Sequence, residues 1–286
     1  MGSYLSGLWE GSGHIILPKH NEQAPLPKVR PKVEPCLAIT FCPASQPLVE
    51  RFVEKYGGTV SVSRSSKTKE KAIVWTISAK GTFSILNIVK LMNGFLRTPK
   101  IYEFNQLISY LNDKLNAGAR AQSIDLSFLS DNYWLAGFID ASGGFKLRYT
   151  LLRAQHNTGK VLSKERIEVR FVLEQPLLKS RPTKGAFSIM KSIADYLSVN
   201  LKVSHHNDKD FWIVEVSSIT KLQILVDYLD TYPLLTAKFN DYNDWLKAFN
   251  LVKANKHLTE SGKSVLLNIK SNMNNKRTVF DWSHIK

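Results

Sequence analysis

A nine-residue pattern occurs twice in this chain. It reads Leu5-Ser6-Gly7-Leu8-Trp9-Glu10-Gly11-Ser12-Gly13 and then Leu135-Ala136-Gly137-Phe138-Ile139-Asp140-Ala141-Ser142-Gly143, 130 residues further on. The first, third, eighth and ninth residues are identical, and the sixth is an acid both times. The repetition extends beyond the pattern. Ile73-Val74-Trp75-Thr76-Ile77-Ser78 matches Trp212-Ile213-Val214-Glu215-Val216-Ser217, and Phe95-Leu96-Arg97-Thr98-Pro99-Lys100 matches Pro233-Leu234-Leu235-Thr236-Ala237-Lys238. A repeat this long is not a solenoid, whose period is about 20–50 residues. It calls for two similar halves, each built around its own copy of the pattern.

Apolar spacing gives those halves a common order. In the first, a helix over 4–11 precedes strands at 14–17 and 36–42, a helix over 46–56, strands at 59–65 and 72–78, and helices over 82–93 and 101–116. In the second, a helix over 133–141 precedes strands at 145–152 and 165–174, a helix over 184–197, strands at 199–205 and 211–217, and helices over 219–230 and 238–253. The fold class is therefore α+β: two αββαββα repeats in pseudo-twofold relation. The domain expectation is a first repeat over 1–116, a linker over 117–132, a second repeat over 133–254 and a tail over 255–286 with one helix.

The two pattern helices carry small residues four apart, Gly7 with Gly11 and Gly137 with Ala141. Residues at that spacing share a helix face. Without bulk there, two helices can approach backbone to backbone, much as membrane helices do through similar spacing. These four residues are the expected interface between the halves.

Charge points to the partner. Lys and Arg number 39 against 24 Asp and Glu, a formal net charge of +15. Such a surplus favours polyanions, because each phosphate neutralised releases a condensed counterion. The basic residues are also placed on faces. Period two sets Lys146 and Arg148 on one side of their strand, and Arg166 and Arg170 on one side of theirs. Arg64, Lys67 and Lys69 mark the tip of a hairpin, and Lys28, Arg30 and Lys32 a stiff loop with five prolines between 18 and 35. All ten are candidate nucleic-acid contacts, each better suited to phosphate than to base reading. No apolar run reaches the roughly 18 residues of a membrane span, and no basic-then-apolar signal segment opens the chain. Cys36 and Cys42 fall about 20 Å apart along one strand, too far for a disulfide. A monomer is expected, since the duplication supplies both halves.

The paired patterns resemble those of the LAGLIDADG homing endonucleases and their intron-splicing maturase relatives. The likeness covers nearly the whole chain. It includes both motif helices, the two-repeat single-chain layout, and a lysine after the last strand and helix of each half, Lys100 and Lys238. It implies a saddle-shaped sheet of four antiparallel strands in each half, lying in the DNA major groove over about 20 base pairs, Mg²⁺ at the base of the paired helices, and a mitochondrial protein encoded within an intron. It also implies roles. Lys100 and Lys238 neutralise charge near the cleaved phosphates, and Gln175, four residues after Phe171, arranges solvent. Counting likewise from Phe41 gives Ser45 in the first half.

One departure matters. The family's metal ligands are the eighth-position acid and the seventh-position carbonyl, here Ser12 with Gly11 and Ser142 with Ala141. Mg²⁺ is a hard cation that prefers carboxylate oxygen, and metal-assisted phosphodiester cleavage depends on it. The remaining acids, Glu10 and Asp140, lie about 200° around the helix from the eighth position. Two serines inside otherwise intact motifs have two accounts: a lineage that kept binding and gave up cutting, or deliberate inactivation. The sequence thus implies a binder of a long duplex DNA site, impaired in cleavage. A maturase acting on group I intron RNA stands as the alternative, and an active Mg²⁺-dependent endonuclease as a further one.

Overall fold

A computed structural model describes residues 1–18, 34–64, 71–80, 82–150, 153–154, 161–163, 165–177 and 185–285. Five of the basic candidates, Lys28, Arg30, Lys32, Lys67 and Lys69, lie outside them. The chain divides into two compact units, Met1–Ser142 with Leu178–Ala186, and Gly143–Leu177 with Phe187–Lys286.

The first unit runs α1 (Gly2–Ser12), β1 (Gly13–Ile16), β2 (Cys36–Phe41), α2 (Gln46–Tyr56), β3 (Thr59–Arg64), β4 (Lys71–Ser78), α3 (Thr82–Met92), α4 (Ile101–Leu115) and α5 (Trp134–Ser142). Its sheet has the order β1-β2-β4-β3 and every pairing is antiparallel. Strict alternation along β4 buries Ile73, Trp75 and Ile77 and turns Val74 and Thr76 outward. The buried set meets α2 through Phe52, whose ring centroid lies 5.3 Å from that of Trp75. The outward face carries Thr40, Ala72, Val74 and Thr76, with exposed His14 and Ile16 on β1. Charge collects instead at the end of the β3–β4 pair, where exposed Arg64 sits opposite exposed Lys71. Like charges placed directly across a ladder are unfavourable.

Residues 117–132 are tied down rather than loose. Asn112 pairs its side-chain amide with both N–H and C=O of Ala119 at 3.0 and 2.8 Å, Asn93 donates to Arg120 O, and Asn105 donates to Gln122 O. The segment thus borrows the side chain of Asn93, just past α3, and those of Asn105 and Asn112 in α4 for backbone partners that a strand would otherwise supply.

The second unit contains β5 (Gly143–Thr150), β6 (Arg153–Ala154), β7 (Val161–Ser163), β8 (Arg166–Pro176), α6 (Phe187–Tyr196), β9 (Lys202–His206), β10 (Lys209–Val216), α7 (Ile219–Thr231), α8 (Lys238–Lys253) and α9 (Glu260–Asn272). Its main sheet, β5-β8-β10-β9, repeats the order of the first. Phe145, Phe171, Val214, Trp245 and Phe249 form the core under that sheet. The short β6–β7 ribbon has no counterpart in the sequence expectation, which ended one strand at 152 and began the next at 165.

The tail folds back onto its unit. Lys270 Nζ and Asn274 Nδ2 donate to the carbonyls of Tyr149 and Phe145 on edge strand β5, which keeps that edge from pairing elsewhere. Arg277 bridges Asp241 and Asp244 on α8, and the Asn240 amide pairs with the backbone N–H and C=O of Asp281 at 2.7 and 3.0 Å.

Candidate functional site

α1 and α5 meet along the small-residue faces. A Cβ on Gly7 would lie 1.9 Å from Trp134 O, and one on Gly137 would lie 2.0 Å from Tyr4 O. The two contacts are reciprocal, since Tyr4 and Trp134 stand at the same motif position, as do Gly7 and Gly137. Further along, a Cβ on Gly11 would come within 2.3 Å of Ala141 Cβ and 3.1 Å of Ser142 Oγ, so the two C-terminal ends lie side by side. This closeness explains why α5 packs in the first unit although its repeat belongs to the second half.

The sixth-position acids fasten the pair, again reciprocally. Tyr4 donates its hydroxyl to Asp140 at 2.7 Å, and Trp134 donates Nε1–H to Glu10 at 2.7 Å. Glu10 also accepts from Arg97 N, Thr98 N and Thr98 Oγ1. It therefore pins the turn leading to Lys100. Burial drives the Glu10 carboxyl up to about 7, opposed by those donors.

Lys100 Nζ donates to Trp9 O at 3.2 Å and to Gly13 O at 2.7 Å. The lysine thus satisfies carbonyls at the C-terminal end of α1, where a cation also suits the helix dipole. Burial pulls its pKa down. Ser12 Oγ donates to Leu8 O at 3.1 Å, a bond back into its own helix.

In the second unit, Lys238 opens α8 as Lys100 opens onto α4. Each has its backbone N–H 3.2 Å from the hydroxyl of the threonine two residues earlier, Thr98 or Thr236. The tail residues around Asn240 hold this first turn, a support that no local sequence signal announces. Gln175 lies in β8 opposite Trp212.

The register corrects the assignment of Ser45. Gly13 pairs with Ile39 and Gly143 with Leu173, so Ile39 corresponds to Leu173 and the counterpart of Gln175 is Phe41. Ser45 is buried in a short 3-10 turn beyond β2, its hydroxyl 3.2 Å from Cys42 Sγ. The first half has a buried phenyl ring where the second has an amide. Counting from Phe41 failed because Phe41 is not the equivalent of Phe171; Leu37 is.

On the outward face of the second sheet, Lys146 and Arg148 are exposed and, among the described residues, make no ion pair. Arg166 and Arg170 share that face, but as members of ion pairs. Arg166 pairs with Glu168, and Arg170 is gripped by Glu168 at 2.6 Å and Glu215 at 2.7 Å.

A family model described as LAGLIDADG endonuclease matches residues 135–249. The whole chain is 26% identical to 72% of the intron-encoded DNA endonuclease aI3 of Saccharomyces cerevisiae. Over 41% of its length it is 36% identical to the probable intron-encoded DNA endonuclease aI1 of Mycosarcoma maydis, covering 97% of that protein. Among solved structures, the homing endonuclease I-GzeII in complex with its DNA target superposes with a TM-score of 0.66 at 19% identity, over 97% of this chain and 99% of that one. I-SmaMI bound to uncleaved DNA in the presence of calcium ions gives 0.66 at 18% identity, over 96% of this chain and 99% of that one. With two four-stranded antiparallel sheets of like order and the doubled motif on a close helix pair, the chain belongs to the LAGLIDADG homing endonuclease family.

Proposed function

We propose that this protein binds a specific duplex DNA site of about 20 base pairs and is impaired in cutting it. One observation carries the second half of that reading: the motif helices end in Ser12 and Ser142, with no carboxylate in either place. Mg²⁺, the expected metal, needs anionic oxygen. The Ser12 hydroxyl is turned back to Leu8 O, and both neighbouring acids are committed to the helix pair. Among the described residues no three His, Cys, Asp or Glu side chains gather in a metal-holding group. The residues present therefore do not fit a divalent cation.

What they do fit is a phosphate backbone. Lys100 at the end of α1, Lys238 at the start of α8, and the exposed Lys146 and Arg148 supply cations without acids at the motif ends to repel DNA. Support for DNA as the partner comes from the intron-encoded endonuclease relatives, and relatives encoded in a cox1 intron of Schizosaccharomyces pombe and an ND4 intron of Podospora anserina support a mitochondrial origin.

The deciding experiment adds the acids back. The protein as it stands should bind duplex DNA and leave it intact in Mg²⁺. The Ser12→Asp, Ser142→Asp double variant should cut the bound site at least about 100-fold faster. Mg²⁺-dependent cleavage by the unaltered chain would overturn the impaired reading. Binding of intron RNA with no site-specific binding to any duplex would favour the maturase.

A further inference from the structure

Five charges of alternating sign run across the outward face of the second sheet: Arg166, Glu168, Arg170, Glu215 and Lys202. Arg166 pairs with Glu168, Glu168 with Arg170 at 2.6 Å, Arg170 with Glu215 at 2.7 Å, and Glu215 with Lys202 at 3.9 Å. The end members are open, with side chains 72% and 61% exposed, while Arg170 in the middle is 27% exposed.

Resting on the DNA-binding reading above, we propose that Arg170 reads a guanine in the bound duplex, and that Glu168 and Glu215 hold it for that task. Electrostatics separates base from phosphate here. A phosphate reaching Arg170 would enter between two carboxylates, whereas a base edge is neutral. Arg166 and Lys202, open at the ends, are the phosphate-facing members of the row.

The donor geometry selects the base. Glu168 takes a hydrogen from Nη2 and Glu215 one from Nη1. One N–H remains on each, because a guanidinium carries five donors. Two adjacent donors match the O6 and N7 acceptors of guanine; adenine offers a donor beside its N7, and thymine a single acceptor. Nε is enclosed without an acceptor, so only the tip can take a ligand.

The orphaned Nε also weighs against a purely structural role. A network built for stability would satisfy that group, and buried ion pairs are weak stabilisers in any case. What the grip provides is a guanidinium already ordered before DNA arrives. Less ordering is then left for binding, and the difference between right and wrong base appears in affinity.

The test is selection of binding sites from a randomised duplex library with the full chain, followed by affinity measurements on single-base variants. The unaltered protein should yield a motif with a required guanine that Arg170→Lys relaxes. Lysine keeps the charge and can still pair with either glutamate but cannot make the bidentate contact. Discrimination at that one position should fall about 10- to 100-fold, with the other positions unchanged. Glu215→Gln should relax the same position more mildly. If Arg170→Lys instead weakens all sequences evenly, with no loss of discrimination at any one position, Arg170 is a backbone contact and the proposal falls. It falls equally if the motif is unchanged in both variants. If the unaltered chain selects no motif, the DNA-binding reading itself is overturned, which is a distinct result.

Discussion

Gly7→Ala is expected to unfold the first unit at temperatures the unaltered chain withstands. The added Cβ would stand 1.9 Å from Trp134 O, a backbone atom that no rotamer change can move. Relief requires α1 and α5 to separate by roughly 1 Å or more along a close-packed seam. That motion would strain the two bonds that tie Tyr4 to Asp140 and Trp134 to Glu10. Alanine does favour the helix over glycine, by about 1 kcal/mol. Overpacking typically costs about 1–3 kcal/mol and more where the obstacle is backbone that cannot give way, so the net effect is a loss. Gly137→Ala should match it, because Tyr4 O lies 2.0 Å from its added Cβ. Gly11→Ala makes an internal comparison. Its first obstacle is the Ala141 side chain at 2.3 Å, so Ala141→Gly should restore much of the stability lost. No such partner change can rescue Gly7→Ala. Urea titrations of the four variants give the order, and a harmless Gly7→Ala would disprove the backbone contact.

The parts of this architecture that were legible in the sequence are those set by local spacing. The doubled motif, the small-residue faces and the strand–strand–helix order all follow from period and repetition. Contacts across long sequence separations were not. Glu10 and Trp134 are 124 residues apart, and neither an acid nor a tryptophan in a helix declares its partner. Glu168 could be placed beside Arg170 by period two, but Glu215 arrives from another strand 45 residues away. The Ser45 assignment shows the same limit from another side. Residue counting cannot fix a register, whereas the pairing of Gly13 with Ile39 does. The tail is expected only as a segment with one helix, yet it places Asn274 on an edge strand and Arg277 on α8. Composition describes such a segment without saying what it covers.

The stability of the chain should fall as pH rises from about 5 to 8, and Glu10 should be the cause. Burial lifts its carboxyl from an ordinary 4.5 to about 7. In the folded chain it then keeps its proton to about pH 7, while the unfolded chain releases it near 4.5. Between those values the folded state binds more protons, so stability declines with rising pH. The contribution is complete below about 4.5, is lost through the interval, and is level above about 7. A shift of this size corresponds to about 3 kcal/mol. The Thr98 hydroxyl makes protonation possible, because at 2.5 Å it is the one partner that can turn from donor to acceptor. The others, Arg97 N, Thr98 N and Trp134 Nε1, only donate. Asp244 and Asp281 have lowered pKa values and contribute with the opposite sign only in more acid solution, while the Met1 amino group, lowered from 8.0 by burial, opposes Glu10 at the alkaline end of the window, so the comparison with Glu10→Gln is what isolates Glu10. Glu10→Gln should flatten the profile, since the amide mimics the protonated acid and does not titrate. Glu10→Ala should cost about 4 kcal/mol at pH 5, because it strands three buried donors at the junction of both motif helices and the Lys100 turn. Urea midpoints measured across this window decide the matter. A profile that rises with pH in the unaltered chain would mean that the donors outweigh burial and hold Glu10 as a carboxylate.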